Sequence, residues 1–263
     1  MARAPERLVE LASACGIEVG KPLLGGHTGA VCGGVLDGLP VVCKLVLDRT
    51  FAVREARSLQ YLKSSGRVPR VVAADFSEGF LVTTRVLPGT TERVGDLDAV
   101  AELAGRLHAV APVAGVLSVR GLVASRGEQL SQHCTKLGLD TAYVVSAREA
   151  LVLDDAGVVC HGDFGPANVL DGSAGSLWAF DPECVVAPAA FDLAGWSIRQ
   201  DSATAIETTT ALARLCGIGE REALSWLGWM AFDEAVSHTV YGLPIAVHEW
   251  ALAEALGVLP EMG

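Results

Sequence analysis

Short apolar runs separated by turn residues in the first third of the chain predict β-strands. The stretch "KPLLGGHTGAVCGGVLDGLPVVCKLVL" predicts a strand, a glycine-rich turn, a second strand, a tight turn at Asp37 and Gly38, and a third strand. The stretch "VPRVVAADFSEGFLVTTRVLPGT" predicts two further strands around a turn at 77–79. Together they predict a five-stranded, largely antiparallel sheet.

Helical periodicity dominates the rest of the chain. Residues 5–15 predict a short helix, and "RTFAVREARSLQYLKSSG" predicts a longer one that Gly66 ends. From about residue 97 the pattern is mostly helical, clearest in "LDAVAELAGRLHAV", and from 193 onward almost entirely so. The expected fold is α+β, with an N-lobe over 1–86, a helical C-lobe over 87–263 and a hinge at "RVLPGT".

Polar side chains interrupt the apolar run "VVCHGDFGPANVL". A carboxylate there needs water, a hydrogen-bond partner or a cation, and a loop aspartate that satisfies its own turn is the simpler interpretation of Asp163. Downstream, the apolar strand in "SLWAFDPE" ends at Asp181. If these two strands are adjacent, Asp163, Asn168 and Asp181 form a cluster of hard oxygen ligands suited to Mg²⁺ and nucleotide phosphates.

Lys44 lies in the apolar strand "PVVCKLVL", where an unpaired ammonium group would be costly. Glu55 on the following helix is the nearest candidate partner; the alternative is a lysine at a sheet edge whose ammonium reaches water. A Lys–Glu pair together with an Asp/Asn/Asp set is the arrangement that phosphoryl transfer uses. The glycines of "LLGGHTGAV" could let backbone amides approach a phosphate, although glycine pairs are also common in hairpins.

Composition narrows the class of protein. Half of the 263 residues are hydrophobic, which argues against disorder, and no long uncharged apolar run predicts a membrane span. Charges run through "MARAPERLVELASACG", so a secretory leader is not expected. The seven cysteines are scattered without metal-ligand spacing, which favours reduced core residues in a cytoplasmic protein.

Charge is divided unevenly along the chain. The net charge of −11 argues against nucleic-acid binding. Residues 1–86 carry 11 basic and 8 acidic residues, whereas 87–263 carry 9 basic and 23 acidic ones. The first part suits polyanionic ATP, and the second suits a small cationic substrate. Alternatively, the acids only keep an apolar-rich protein soluble.

The motifs "HGDFGPAN", "FDPE" and "FDLAGW" resemble the aminoglycoside phosphotransferase family, small-molecule kinases with a protein-kinase-like fold. Within it, "HGDFGPANVL…LWAFDPE" is most similar to the streptomycin-type kinases. The resemblance implies that Asp163 is the catalytic carboxylate and that Asn168 and Asp181 hold Mg²⁺. It also implies that Lys44, steadied by Glu55, contacts the phosphates of ATP or GTP.

The same resemblance assigns supporting roles. Backbone groups at Thr83, Thr84 and Val86 would meet the adenine edge, and Gly25 and Gly26 would approach the phosphates. His161 would be structural, and Asp192 would brace the catalytic loop. The chain departs from protein kinases at Gly162, where they have arginine, so control by activation-loop phosphorylation is not expected. In the last helices, the family places its antibiotic-binding acids in the region that holds Asp201, Glu207, Asp233, Glu234 and Glu249.

Three hypotheses about function follow. The first is an ATP- and Mg²⁺-dependent kinase for a hydroxyl of a small cationic antibiotic, of the streptomycin or tuberactinomycin type, which would confer antibiotic resistance. The second is a metabolic kinase of the same fold that acts on choline, a sugar amine or an amino alcohol. The third is a nucleotide-binding pseudokinase, which the presence of all five site residues disfavours. The sequence carries no signal for an oligomeric state.

Overall fold

The computed structural model describes residues 4–23, 29–112, 114–153, 157–243 and 246–259. The strands are β1 Glu18–Pro22, β2 Gly29–Leu36, β3 Leu39–Val46, β4 Val71–Asp75, β5 Phe80–Thr84, β6 Leu117–Ser118, β7 Val158–Cys160, β8 Val169–Asp171, β9 Leu177–Ala179 and β10 Val185–Ala187. The helices are α1 Ala4–Ala14, α2 Arg49–Leu62, α3 Leu97–His108, α4 Val119–Leu137, α5 Ala142–Glu149, α6 Ala190–Ser197, α7 Ser202–Leu215, α8 Glu220–Val240 and α9 Ala246–Ala255.

The chain forms two compact units. One contains Met1–Arg93 together with Val169–Glu183, and the other contains Val94–Asn168 together with Cys184–Gly263. By its contacts the β8–β9 hairpin therefore belongs with the amino-terminal sheet, although it lies far along the chain. The functional division into lobes at residue 86 stays a prediction.

The first unit is built on the predicted five-stranded sheet. Its strand order is β1-β2-β3-β5-β4, and every neighbouring pair is antiparallel. The β2–β3 turn has positive φ at both Asp37 and Gly38 (49° and 78°), the left-handed geometry that matches the twist of a two-residue hairpin. Helix α1 covers one face of the sheet, and the buried core there includes Leu8, Ala12, Val41, Phe80 and Val82. This part of the fold is confirmed as predicted.

Asp171 on β8 holds the segment that follows β5. Its backbone exchanges hydrogen bonds with Gly89 and Thr90, with N···O distances of 2.9 and 2.8 Å. Its carboxylate accepts hydrogen bonds from the Thr90 hydroxyl at 2.6 Å, the Glu92 amide at 2.7 Å and the Arg93 amide at 3.2 Å. The predicted hinge segment is thus fastened to a hairpin remote in the sequence, which the sequence analysis did not anticipate.

The second unit is mostly helical around a small sheet. Strand β10 lies between β6, to which it is parallel, and β7, to which it is antiparallel. Helix α8 runs through the core, where Trp226, Trp229 and Phe232 are buried. Tyr241, in contrast, is exposed.

The strands before Asp163 and Asp181 do not pair with each other. Strand β7 pairs with β10, and β9 pairs with β8 in a separate two-stranded sheet. The two- and three-residue strands β6 and β10 were not predicted, since segments this short show no alternation. Across the described parts of the chain, no helix combines the length and the apolar character that a membrane crossing requires.

Candidate active site

Lys44 is bound by two carboxylates in the first unit. Its Nζ lies 2.9 Å from Glu55 Oε2 on α2 and 2.5 Å from Asp181 Oδ1, which follows β9. The side chains of Lys44 and Glu55 are 16% and 13% exposed, whereas that of Asp181 is 35% exposed. The predicted Lys44–Glu55 ion pair is present, and Asp181 joins it as the more accessible member.

This cluster carries one positive and two negative side chains. Burial lowers the pKa of Lys44, but the charges of Glu55 and Asp181 outweigh burial and raise it overall. Burial, followed by the charge of Asp181, raises the pKa of Glu55 to about 8, because one ammonium does not neutralise both carboxylates. The donor set therefore fits an additional cation at its exposed, oxygen-bearing side, as Mg²⁺ bound through Asp181 would provide.

Asp181 adopts an unusual backbone conformation. Its φ is 57°, in the left-handed region that aspartate tolerates better than most residues. Such conformations persist where the surrounding structure imposes them, and they are frequent at functional sites. Here the salt bridge to Lys44 is one of the contacts that hold the Asp181 side chain in place.

Asp163 and Asn168 come together in the loop after β7, within the second unit. Asn168 Nδ2 donates to the Asp163 carboxylate at 2.7 Å and to its backbone carbonyl at 2.9 Å. Asp163 is exposed, so its second carboxylate oxygen can face a substrate hydroxyl. With the amide nitrogen turned toward Asp163, Asn168 Oδ1 is the atom that could ligate a cation.

Asp192 braces the same loop, as the family resemblance implies. Its side chain is 1% exposed and accepts hydrogen bonds from the amides of His161 at 2.7 Å and Gly162 at 3.0 Å. His108 Nε2 lies 2.9 Å from Asp192 Oδ2 and must be the donor, because a carboxylate only accepts. Burial raises the pKa of Asp192, but the hydrogen bond and charge of His108, together with the hydrogen bonds from backbone amides, outweigh burial and lower the pKa overall.

Gly162 explains one departure from protein kinases. Its φ is 89°, a conformation that glycine adopts without strain and an arginine would not. The loop before Asp163 therefore takes a path here that depends on glycine.

Part of the segment predicted to face the adenine, residues 83–86, already uses its backbone amides in hydrogen bonds to neighbouring strands and loops. The amide of Thr84 donates to Arg70 O at 2.9 Å, and that of Arg85 donates to Pro40 O at 3.0 Å. Thr83 lies within β5 and Val86 just beyond it, both half-buried. An adenine contact through this segment would therefore use Val86 or backbone carbonyls. The predicted phosphate-facing Gly25 and Gly26 lie outside the described residues.

The five candidate substrate-binding acids have different surroundings. Asp201 caps α7 by accepting from the Thr204 amide at 3.1 Å, and Asp233 pairs with Arg126 at 3.4 Å. Glu249 is buried and bound to His238, and Glu234 is half-buried beside it. Glu207 is exposed on α7. The capping hydrogen bond explains the presence of Asp201 without a substrate, and the ion pair with Arg126 does the same for Asp233.

Comparison with known proteins identifies the family. A model described as "Phosphotransferase enzyme family" matches residues 38–226, well over half of the chain. The chain belongs to this family. It is a phosphotransferase, as the motifs around Asp163 and Asp181 predict. None of the curated proteins searched matches the sequence.

Solved structures share the fold at low sequence identity. Choline kinase LicA from Streptococcus pneumoniae is 14% identical, with a TM-score of 0.72 over 97% of this chain and 99% of that one. A choline/ethanolamine kinase family protein from Mesorhizobium loti is 18% identical, with a TM-score of 0.72 over 99% and 95%. A thermostable mutant of aminoglycoside phosphotransferase APH(4)-Ia, in a ternary complex with ADP and hygromycin B, is 16% identical with a TM-score of 0.71 over 97% and 99%. The predicted kinase-like fold is confirmed.

Proposed function

We propose that this phosphotransferase transfers the γ-phosphoryl group of ATP, or of GTP, to a hydroxyl of a small cationic antibiotic. The observation that carries the proposal is the Lys44–Glu55–Asp181 cluster in a chain whose family and HGDxxxxN loop both indicate phosphoryl transfer. Such clusters position phosphates and neutralise charge, and these are the main tasks of a kinase site.

Each residue has a defined part in this mechanism. Lys44 donates to the nucleotide phosphates, and Glu55 keeps its ammonium in place. Asp163 accepts a hydrogen bond from the acceptor hydroxyl and takes its proton as the new P–O bond forms, while Asn168 orients the carboxylate. Mg²⁺, held by Asp181 and Asn168, would supply neutralisation of the phosphate charge.

The case for a cationic substrate rests on charge. The chain from 193 onward has 3 basic and 9 acidic residues, so its field attracts polycations. The structural neighbours are named for choline, ethanolamine and an aminoglycoside, and all three are alcohols that carry positive charge. A streptomycin-like aminoglycoside or a tuberactinomycin-type basic peptide fits this description, and a resistance role would follow.

A metabolic kinase for choline or another amino alcohol is the second candidate. It is favoured by the choline kinases among the structural neighbours. Under either candidate the enzyme acts on a small molecule, with no nucleic-acid or membrane partner.

ADP release measured against a panel of acceptors tests the proposal. The panel contains streptomycin and other aminoglycosides, tuberactinomycin peptides, macrolides, choline and ethanolamine, with Asp163→Asn as the matched inactive control. We expect turnover with a polycationic antibiotic and a raised inhibitory concentration in cells that express the protein. Turnover restricted to choline or ethanolamine would select the metabolic candidate, and nucleotide binding without any turnover would indicate a pseudokinase.

A further inference from the structure

Two acids and a histidine converge where α8 packs against α9. Glu234 and His238 are four residues apart on α8 and therefore share a face of the helix. Glu249 on α9 faces them, and one potential ligand atom from each residue lies within 4.8 Å of the other two. The cluster belongs to neither the Lys44 cluster nor the Asp163 loop.

Glu249 is the most buried member and is not fully satisfied. Its side chain is 1% exposed, and its Oε2 lies 2.7 Å from His238 Nδ1. Among the described residues, its Oε1 has no hydrogen-bond partner, and neither has Oε2 of Glu234. Buried carboxylate oxygens are normally paired, so the Glu234 and Glu249 carboxylates need either a shared proton or a metal ion between them.

The arginines near the cluster offset only part of its negative charge. Burial raises the pKa of Glu234 to about 7; Arg199 opposes this shift, and the adjacent Glu249 carboxylate adds to it. Asp233, beside Glu234 on α8, is itself a largely buried acid and is paired with Arg126 at 3.4 Å. Three carboxylates, those of Asp233, Glu234 and Glu249, thus face two guanidinium groups, those of Arg126 and Arg199. One negative charge is left for a neighbouring imidazole, of His238 or His133, or for a metal ion.

We propose that Glu234, His238 and Glu249 bind a divalent transition-metal ion, with Zn²⁺ the best match, that links α8 to α9. One imidazole nitrogen and two carboxylate oxygens are ligands that Zn²⁺ accepts, with water free to complete the coordination. Mg²⁺ prefers an all-oxygen octahedron and retains its waters, so this site would discriminate against the ion that accompanies ATP. Because Glu234 and Glu249 are also candidate substrate-binding acids, a metal ion here would withdraw both from that role.

Zinc titration of the untagged, nucleotide-free protein tests the site. Calorimetry and competition with a chromogenic chelator should show one Zn²⁺ per chain in the wild type, with weaker binding of Mn²⁺ and none of Mg²⁺. Glu249→Gln and His238→Gln should each abolish stoichiometric binding. His248→Gln is the matched control, because His248 is an exposed histidine on the same helix as Glu249, outside the cluster.

Thermal unfolding provides a second measurement. Zn²⁺ should raise the Tm of the wild type and of His248→Gln, but not that of Glu249→Gln or His238→Gln. Circular dichroism checks that each variant is folded. If a variant does not fold, Glu234→Gln is used in its place, because Glu234 is only half-buried. Zinc binding that persists in the folded variants would place the ion at cysteines and overturn the proposal. A wild type that binds no zinc, or variants that only raise the KM of a cationic substrate, would also overturn it.

Discussion

Asp163 is the residue on which the proposed chemistry depends most directly. Asparagine has nearly the same shape as aspartate but cannot take a proton, so Asp163→Asn should lower kcat by about 10³-fold. Nucleotide affinity should stay unchanged, whereas Asp181→Ala should weaken binding of Mg·ATP. Steady-state ADP release and calorimetric nucleotide titration separate the two effects. Near-normal turnover by Asp163→Asn would remove the catalytic role given to this residue.

Asp192 is a second single residue with a testable role, because its buried carboxylate stabilises the fold. Its pKa is lowered in the folded protein, so its stabilising contribution is present above the unfolded pKa of about 3.9 and is lost as the pH falls through the folded value. Asp192→Asn should lower the free energy of unfolding by about 3 kcal/mol at pH 7, since it breaks a buried charged network. The gap between wild type and variant should narrow below about pH 4.

Urea unfolding of both proteins across this pH range measures the Asp192 effect. Asp98→Asn is the control, because Asp98 lies in the first turn of α3, away from the buried network. A gap that stays constant from neutral to acid pH would show that the ionised carboxylate is not the stabilising group.

At the scale of elements, Asp171 joins the β8–β9 hairpin to the segment after β5. Asp171→Ala leaves the Glu92 and Arg93 amides without their acceptor and should cost about 2 kcal/mol of stability. Hydrogen exchange should quicken at these two amides while the Thr84 amide, bonded within the sheet unit to Arg70, stays protected. Asp75→Ala is the matched control, since the Asp75 carboxylate accepts from its own turn at Ser77. If both variants lost the same amount of stability, Asp171 would not be the residue that holds the segment after β5.

At the scale of the whole molecule, the uneven charge predicts a salt effect on substrate capture. The KM of a polycationic substrate should rise as ionic strength increases from about 0.05 to about 0.5 M, because screening shortens the reach of the acidic residues. The KM for ATP should respond less, as residues 1–86 are only mildly basic. Steady-state kinetics at several salt concentrations measure both. Turnover of neutral macrolides with no turnover of polycations would refute the electrostatic argument.

The sequence by itself determined the features that repeat at short range. The strands are short apolar runs bounded by turn residues, burial alternates along β3, and the turn at Asp37 and Gly38 joins β2 to β3, so the sheet was predictable. The Lys44–Glu55 pair was predictable too, because a lysine on an apolar strand needs an anion and the next helix supplies one.

Tertiary structure alone decided which distant segments meet. Asp192 reaches His108 across 84 residues, and Asp171 reaches Thr90 across 81. Strands β7 and β9 pair with different partners although similar apolar runs precede Asp163 and Asp181. A period of two or of 3.6 residues records which face of a segment is buried, but not against what. That choice depends on packing and hydrogen bonds between segments remote in the sequence.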